Sequence, residues 1–135
     1  MRDLAENLAI LDAIRPDEKT AAEYNSRANG VHNTASEIDL ADYGYPRKIL
    51  VCISVGEVDA GGTLDIDIES GDTTGALTNT DVSLDQMIAE GSQIYEYTPT
   101  RRFINIECTV ATNNVTFGVG LVMDHSRFGN QGADD

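Results

Sequence analysis

The segment from Arg101 to Asp124, RRFINIECTVATNNVTFGVGLVMD, constrains the fold of this chain more than any other stretch. Apolar side chains recur at every second position over residues 104–110, and they do so again over residues 115–123. Alternation with a period of two is typical of a strand with one buried face. The link at 111–114 is polar and contains two asparagines, which tolerate left-handed backbone. The two runs therefore predict an antiparallel hairpin.

Upstream runs predict the strands that cover this segment. Residues 48–55, KILVCISV, are apolar on both faces, so we expect a central strand that is covered on both sides or lies next to a partner. Residues 63–70 alternate aliphatic with acidic side chains, residues 92–98 also alternate, and weaker strands are predicted near 20–24 and 37–40. Such short strands separated by turn signals predict an all-β chain, an antiparallel β-sandwich or jelly roll.

The N-terminal segment is predicted to be an arm outside the sandwich. Residues 2–14 fit either a short helix or an extended arm, and Pro16 ends either one. This division gives an arm at 1–15, a β-sandwich domain at 16–128 and a polar C-terminal tail at 129–135. We expect the arm to lie on a neighbouring subunit rather than on its own sandwich. Its apolar side chains are Leu4, Leu8, Ile10, Leu11 and Ile14.

Charge excludes two classes of partner. The chain has 23 acidic and 9 basic residues, a formal net charge of −14 at pH 7. Nucleic acids and anionic membranes attract clustered lysine and arginine, so we expect neither as a partner. No apolar run reaches the roughly 18 residues of a membrane span, and no export signal is apparent. The acidity favours solubility, with adaptation to salt or a basic partner surface as alternatives.

Side chains capable of chemistry are not arranged for catalysis. Asp65, Asp67 and Glu69 share one face of a predicted strand, which indicates a solvated face because a calcium loop needs ligands that converge from a turn. His32 and His125 are far apart and lack metal-ligand spacing. We therefore predict a protein that is not an enzyme and has no metal or cofactor. Cys52 and Cys108 lie in predicted strands, where we expect both to be reduced and buried.

Arginines are the other predicted contacts. Arg15, Arg101, Arg102 and Arg127 lie near predicted strand ends in an otherwise acidic chain. They either balance the charge of nearby acids or bind a carboxylate of a partner through bidentate hydrogen bonds, for which arginine is well suited. With the five apolar arm residues, they form the predicted partner-binding set.

Four segments, taken in order, resemble the small structural proteins of tailed bacteriophages that are often encoded beside the major capsid protein. They are Ala13-Ile14-Arg15-Pro16, then 37–43 (EIDLADY) leading into 48–55, then 61–70 (GGTLDIDIES), and finally 102–106 (RFINI) followed by 117–121 and His125-Ser126-Arg127. The resemblance spans about residues 13–127. It implies a virion component, a decoration (cement) protein that binds the major capsid protein and stabilises the head shell.

The same resemblance implies where the protein acts and with whom. We expect synthesis in the host cytoplasm, a place on the outer capsid surface, and a homo-oligomer, either trimer or dimer. A head–tail connector or tail component is one alternative. A carbohydrate- or calcium-binding β-sandwich module is another, for which the clustered Tyr43, Tyr45, Tyr95 and Tyr97 would supply a platform in a chain without tryptophan.

Overall fold

The computed structural model describes residues 8–26, 37–73 and 77–124. They form nine β-strands and one short 3₁₀ helix, Leu40–Tyr43. The strands are β1 (Leu8–Lys19), β2 (Ala22–Asn25), β3 (Ile38–Asp39), β4 (Ile49–Val58), β5 (Thr63–Gly71), β6 (Asn79–Ser83), β7 (Gly91–Tyr97), β8 (Phe103–Ala111) and β9 (Val115–Asp124). The predicted all-β class is confirmed. Leu4 and Arg127 lie outside the described residues, as does the predicted C-terminal tail.

Two antiparallel sheets pack as a β-sandwich. Sheet A has the order β1-β9-β4-β7, and sheet B has the order β2-β8-β5-β6, with β3 also paired to β8. Five of the pairings are nested: β1 with β9, β2 and β3 with β8, β4 with β7, and β5 with β6. A chain doubled back on itself in this way and wrapped into two sheets is the jelly-roll form of the sandwich.

The hairpin predicted for residues 101–124 does not form. β8 pairs with β2, β3 and β5 in sheet B, whereas β9 pairs with β1 and β4 in sheet A. The link between them is an arch that crosses from one sheet to the other. Period-two alternation was a correct guide to which side chains face the interior, but an arch and a hairpin share that pattern, so it could not identify the pairing partners.

Two sheet-crossing arches meet at one end of the sandwich. The first joins β8 to β9 through Thr112, whose φ is +73°, and the second joins β4 to β5 through Gly61, whose φ is +82°. The backbone N–H of Asp59 donates to the carbonyl of Asn114 over 2.9 Å, which ties the arches together. A Cβ on Gly62 would lie 3.1 Å from that same carbonyl oxygen, so the close approach requires glycine.

β1 corrects the prediction of an arm. From Leu8 onward the segment is a strand, neither a helix nor an arm laid on a neighbour, and it pairs with β9 of its own sheet. The boundary predicted at residue 15 therefore falls inside β1. Two register shifts, between Asp12 and Ile14 and between Ile14 and Asp17, let the strand continue past Pro16. Proline is compatible with this position because β1 is an edge strand with bulges.

The interior is aliphatic and is supplied equally by both sheets. Leu11 and Ile14, expected to contact a partner, are instead buried in this core, because the register shifts turn Ala13 and Ile14 inward together. Tyr24 and Phe117 meet edge to face, with ring centroids 6.5 Å apart. The largest fully buried side chains are Phe117, Ile14, Ile38, Leu40, Ile49, Ile53, Leu64, Ile66, Ile68, Ile104, Ile106 and Leu121.

Candidate functional site

The outer side of sheet A carries an apolar patch. We define it by Ile10, Leu50, Cys52, Ile94 and Val122, which lie in two adjacent rows across the four strands. Ile10 pairs with Val122, which pairs with Leu50, and Cys52 pairs with Ile94. Ile10 is 77% exposed, Ile94 68% and Leu50 37%. All three side chains remain exposed in the described part of the chain, Leu50 least, so they are available to another molecule.

The sequence of β4 explains how this patch arises. Residues at 49, 51, 53 and 55 face the core, which leaves Leu50 and Cys52 on the outer side. Two apolar faces predicted a strand covered on both sides or placed next to a partner. Sheet B covers only the inner side, so the second alternative is the one that the fold leaves open. Exposed aliphatic clusters of this kind mark interaction sites more often than isolated exposed residues do.

The two cysteines differ from the prediction in one respect. Both thiols are free. Cys108 is buried in the core, and burial raises the pKa of its thiol. Cys52 is only half-buried, because it lies on the outer side of sheet A within the patch. The prediction that both thiols are buried is thus confirmed for Cys108 and wrong for Cys52.

The outer side of sheet B is unlike that of sheet A. It carries five carboxylates and no base on strands β2, β8 and β5, and we call this surface the acidic face. In the registers of β2, β8 and β5, Asn25 lies beside Glu107, and Glu107 lies beside Asp67. The members of the acidic face are Glu23, Asp65, Asp67, Glu69 and Glu107.

Crowding of these carboxylates changes the titration of one of them. A hydrogen bond with Glu23, partial burial and the negative charges of Glu69 and Asp67 raise the pKa of Glu107 to about 7. At neutral pH Glu107 is therefore protonated in part of the molecules and ionised in the rest. Asn105 joins the same surface by donating to Asn25 over 2.8 Å and to Glu69 over 3.1 Å.

We expect stability to depend on pH through Glu107. Its pKa in the folded chain, about 7, lies above the ordinary value of 4.5, so the native state binds this proton more tightly than the unfolded chain does. The stabilisation of the folded state that comes from this proton is fully present below about pH 4.5 and is lost as pH rises through about 7. Because solvent screens this partly exposed group, Glu107→Gln should raise the free energy of unfolding at pH 8 by only about 1 kcal/mol.

Urea titrations at pH 5 and pH 8 measure this effect. The difference between Glu107→Gln and the wild type should be larger at pH 8 than at pH 5. Glu57→Gln, an exposed glutamate of β4 on the other sheet, is the control and should show no such change. Equal behaviour of the two variants would contradict the assignment.

The predicted arginine contacts are made within the chain. Arg102 donates from Nε and Nη2 to the two carboxylate oxygens of Asp39, each over 2.9 Å, and this lowers the pKa of Asp39. Arg101 lies 3.4 Å from the hydroxyl of Ser70 and 3.8 Å from a carboxylate oxygen of Asp81. Their charge is thus balanced by acids of the same molecule, which is the first of the two roles considered from the sequence.

Asp81 also joins the two sheets. The buried Tyr97 of β7 donates its hydroxyl to Asp81 over 2.5 Å, and burial with this hydrogen bond raises the pKa of Tyr97. Near Arg102, a surface cavity of about 220 Å³ is lined by Tyr45, Pro99 and both arginines, among others. Tyr45 has a φ of +51° and is 40% exposed, so this end of the sandwich is a second, smaller exposed surface.

The remaining predicted contact residues divide by position. Leu8 is half-buried and Ile10 is exposed, so Ile10 is the arm residue that joins the patch. Arg15 is exposed next to the register shift of β1. Sequence reasoning did not single out Leu50, Ile94 or Val122, although the alternation of residues 92–98 places Ile94 on the face opposite Tyr95 and Tyr97.

Neither metal-ligand geometry nor comparison with known proteins identifies a further site. Among residues 8–26, 37–73 and 77–124, no three or more His, Cys, Asp or Glu side chains are grouped so as to hold a metal ion. No helix in this described part of the chain is long and apolar enough to cross a membrane. Comparison of the chain with protein-family models and with curated proteins finds no match.

Proposed function

We propose that this chain is a non-enzymatic structural protein of a tailed-phage virion, a decoration protein that binds the outer capsid shell through the apolar patch of sheet A. The observation that carries this role is the contrast between the two outer sides of the sandwich. One side presents exposed isoleucine and leucine on three of its four strands, and the other presents five carboxylates. A protein that coats a larger particle needs one side for attachment and one for solvent.

The segment resemblance supplies the identity of the particle. Its four segments fall on β1, on β3 and β4, on β5, and on β8 and β9 with residues beyond, so they belong to both sheets of the jelly roll. Jelly rolls are frequent among viral capsid domains, although the fold alone does not specify a function. The major capsid protein is accordingly the proposed partner.

The energetics favour attachment by many copies. Covering Ile10, Leu50 and Ile94 contributes about 1–2 kcal/mol each, because apolar burial yields roughly 25 cal/mol per Å². Association has its own entropic cost of several kcal/mol, so one patch gives modest affinity. A capsid shell presents the same site many times, and copies that are linked to each other bind with higher overall affinity because binding of one raises the effective concentration of the next.

Leu50→Lys should weaken binding to capsids that lack this protein by about tenfold or more. Leu50 lies at the centre of the patch, and docking would bury an unpaired ammonium group there. Co-sedimentation with such capsids measures the affinity. Thr109→Lys is the matched control, since it adds the same charge on the exposed outer side of sheet B, beside the acidic face.

The outcomes of that experiment are distinct. If the wild type and Thr109→Lys bind capsids alike while Leu50→Lys binds more weakly, attachment through sheet A is supported. Impairment of Thr109→Lys alone would place attachment on sheet B and contradict the proposed surface. A wild-type stoichiometry of only one ring of copies per capsid would favour a head–tail connector instead.

A further inference from the structure

The edges of the two sheets are protected to very different degrees. An exposed edge strand offers unpaired backbone N–H and C=O groups to any other strand, and proteins usually block it with bulges, proline, charge or short length. In the described part of the chain, β1 has two register shifts and Pro16. β6 has five residues and pairs across a register shift, while β2 and β3 have only four and two residues.

Of these protections β7 has only one charged residue, Glu96, which is paired with Lys48. It pairs with β4 at all seven positions from Gly91 to Tyr97 without a register shift, and it contains no proline. Five of its seven residues are exposed, among them Gln93 and Ile94. Its other side has no strand partner among the described residues. A regular, exposed edge of this length is a template for one more strand.

The charges of β7 suit a second copy of the same strand. Glu96 is its one charged residue, and the ammonium of Lys48 lies 3.6 Å from the Glu96 carboxylate, so the edge is close to neutral. The whole chain carries a net charge of −14, so two copies should approach each other where charge is least. A neutral strand edge is such a place, whereas the acidic face is not.

We propose that two copies of this chain pair through β7, antiparallel about a two-fold axis at Ile94, to form one continuous eight-stranded sheet. Ile94 is the middle residue of β7, so this register pairs every residue of the strand. Ile94 of one copy lies opposite Ile94 of the other, Gln93 lies opposite Tyr95 of the other copy, and Ser92 lies opposite its Glu96. Gly91 faces Tyr97. No position places like charges opposite each other, which is the self-complementarity that a two-fold interface requires.

This arrangement joins the two patches. Cys52 and Ile94 lie at the β7 side of the patch, so pairing about Ile94 brings the patches of two copies together on one side of the shared sheet. The joined surface presents the apolar patches of both copies to a partner without moving any residue. The inference goes beyond the proposed function and does not depend on it, since pairing through β7 is a property of the chain in solution.

Sedimentation equilibrium of purified protein tests the pairing. The wild type should have about twice the monomer mass of 14.6 kDa at micromolar concentration. Ile94→Lys puts two ammonium groups opposite each other at the axis and should raise the dimer dissociation constant by about tenfold or more. Ile10→Lys is the matched control, because Ile10 is an equally exposed isoleucine on the same side of sheet A but on β1. It should stay dimeric.

A cross-linking experiment identifies the register independently of any loss of association. In a Cys52→Ser background, Ile94→Cys should form an intermolecular disulfide on mild oxidation, since directly opposite Cβ atoms lie about 5 Å apart. Ile10→Cys in the same background should not. Any one of four results would overturn the proposal: a monomeric wild type, an Ile94→Lys protein that dimerises as tightly as the wild type, equal loss in both lysine variants, or cross-linking at position 10 in place of 94.

Discussion

Replacing Lys19 by methionine is expected to lower the free energy of unfolding by about 3 kcal/mol. The side chain of Lys19 is 2% exposed, and its ammonium donates to the carbonyls of Arg15 over 2.5 Å and Phe117 over 2.9 Å. It also pairs with the carboxylate of Asp17 and lies 4.6 Å from the centre of the Phe117 ring. Methionine keeps the length of the side chain but removes the ammonium donor from both carbonyls.

Urea titration at pH 7 measures the loss, with Lys48→Met as the control. Lys48 forms an exposed ion pair with Glu96, and its removal should cost less than about 1 kcal/mol. Equal stabilities of the two variants would show that the Lys19 contacts do not hold β1 on β9.

Gly118→Ala is expected to cost about 2–3 kcal/mol, because the new methyl group meets backbone that cannot easily move. A Cβ on Gly118 would lie 2.8 Å from the Cβ of Pro16 and 2.9 Å from its Cα. The register shift of β1 places Pro16 over β9 at this point, between the pairs Ile14–Val119 and Asp17–Phe117. Overpacking here would push β1 away from the sheet.

Gly120→Ala is the matched control on the same strand and the same side of sheet A. The nearest atom to a Cβ at Gly120 is the carbonyl oxygen of Leu11, at 4.0 Å, so alanine fits without displacement. Its stability in urea should stay within about 0.5 kcal/mol of the wild type. If Gly118→Ala were as stable as Gly120→Ala, the close packing of Pro16 on β9 would be wrong.

Sequence reasoning succeeded where burial alone decides the pattern. The alternation of residues 63–70 gave β5 with its aliphatic side inward, and the runs at 104–110 and 115–123 gave the core sides of β8 and β9. The same alternation did not predict which strands pair with each other. Whether residues 111–114 close a hairpin or cross between sheets depends on contacts with residues 59–62, about fifty positions away, and local alternation contains no information on them.

β1 shows why the N-terminal segment was misread. Leu11, Ala13 and Ile14 fit no single period, because two register shifts interrupt the strand, and Pro16 looked like the end of an element. Lys19 gave no sign of burial, since its acceptors are backbone carbonyls that the β1 bend brings together. The apolar patch could be predicted only in part. The second apolar side of β4 indicated a covering partner, but only the sheet order shows that no strand of the described residues covers this side.

Electron cryo-microscopy of the virion tests the central claim most directly. We expect many copies of the jelly roll distributed over the outer shell, with Ile10, Leu50 and Ile94 of sheet A turned toward the major capsid protein and the acidic face of sheet B turned toward solvent. Sandwiches bound through the acidic face, or density confined to the neck or tail, would contradict it.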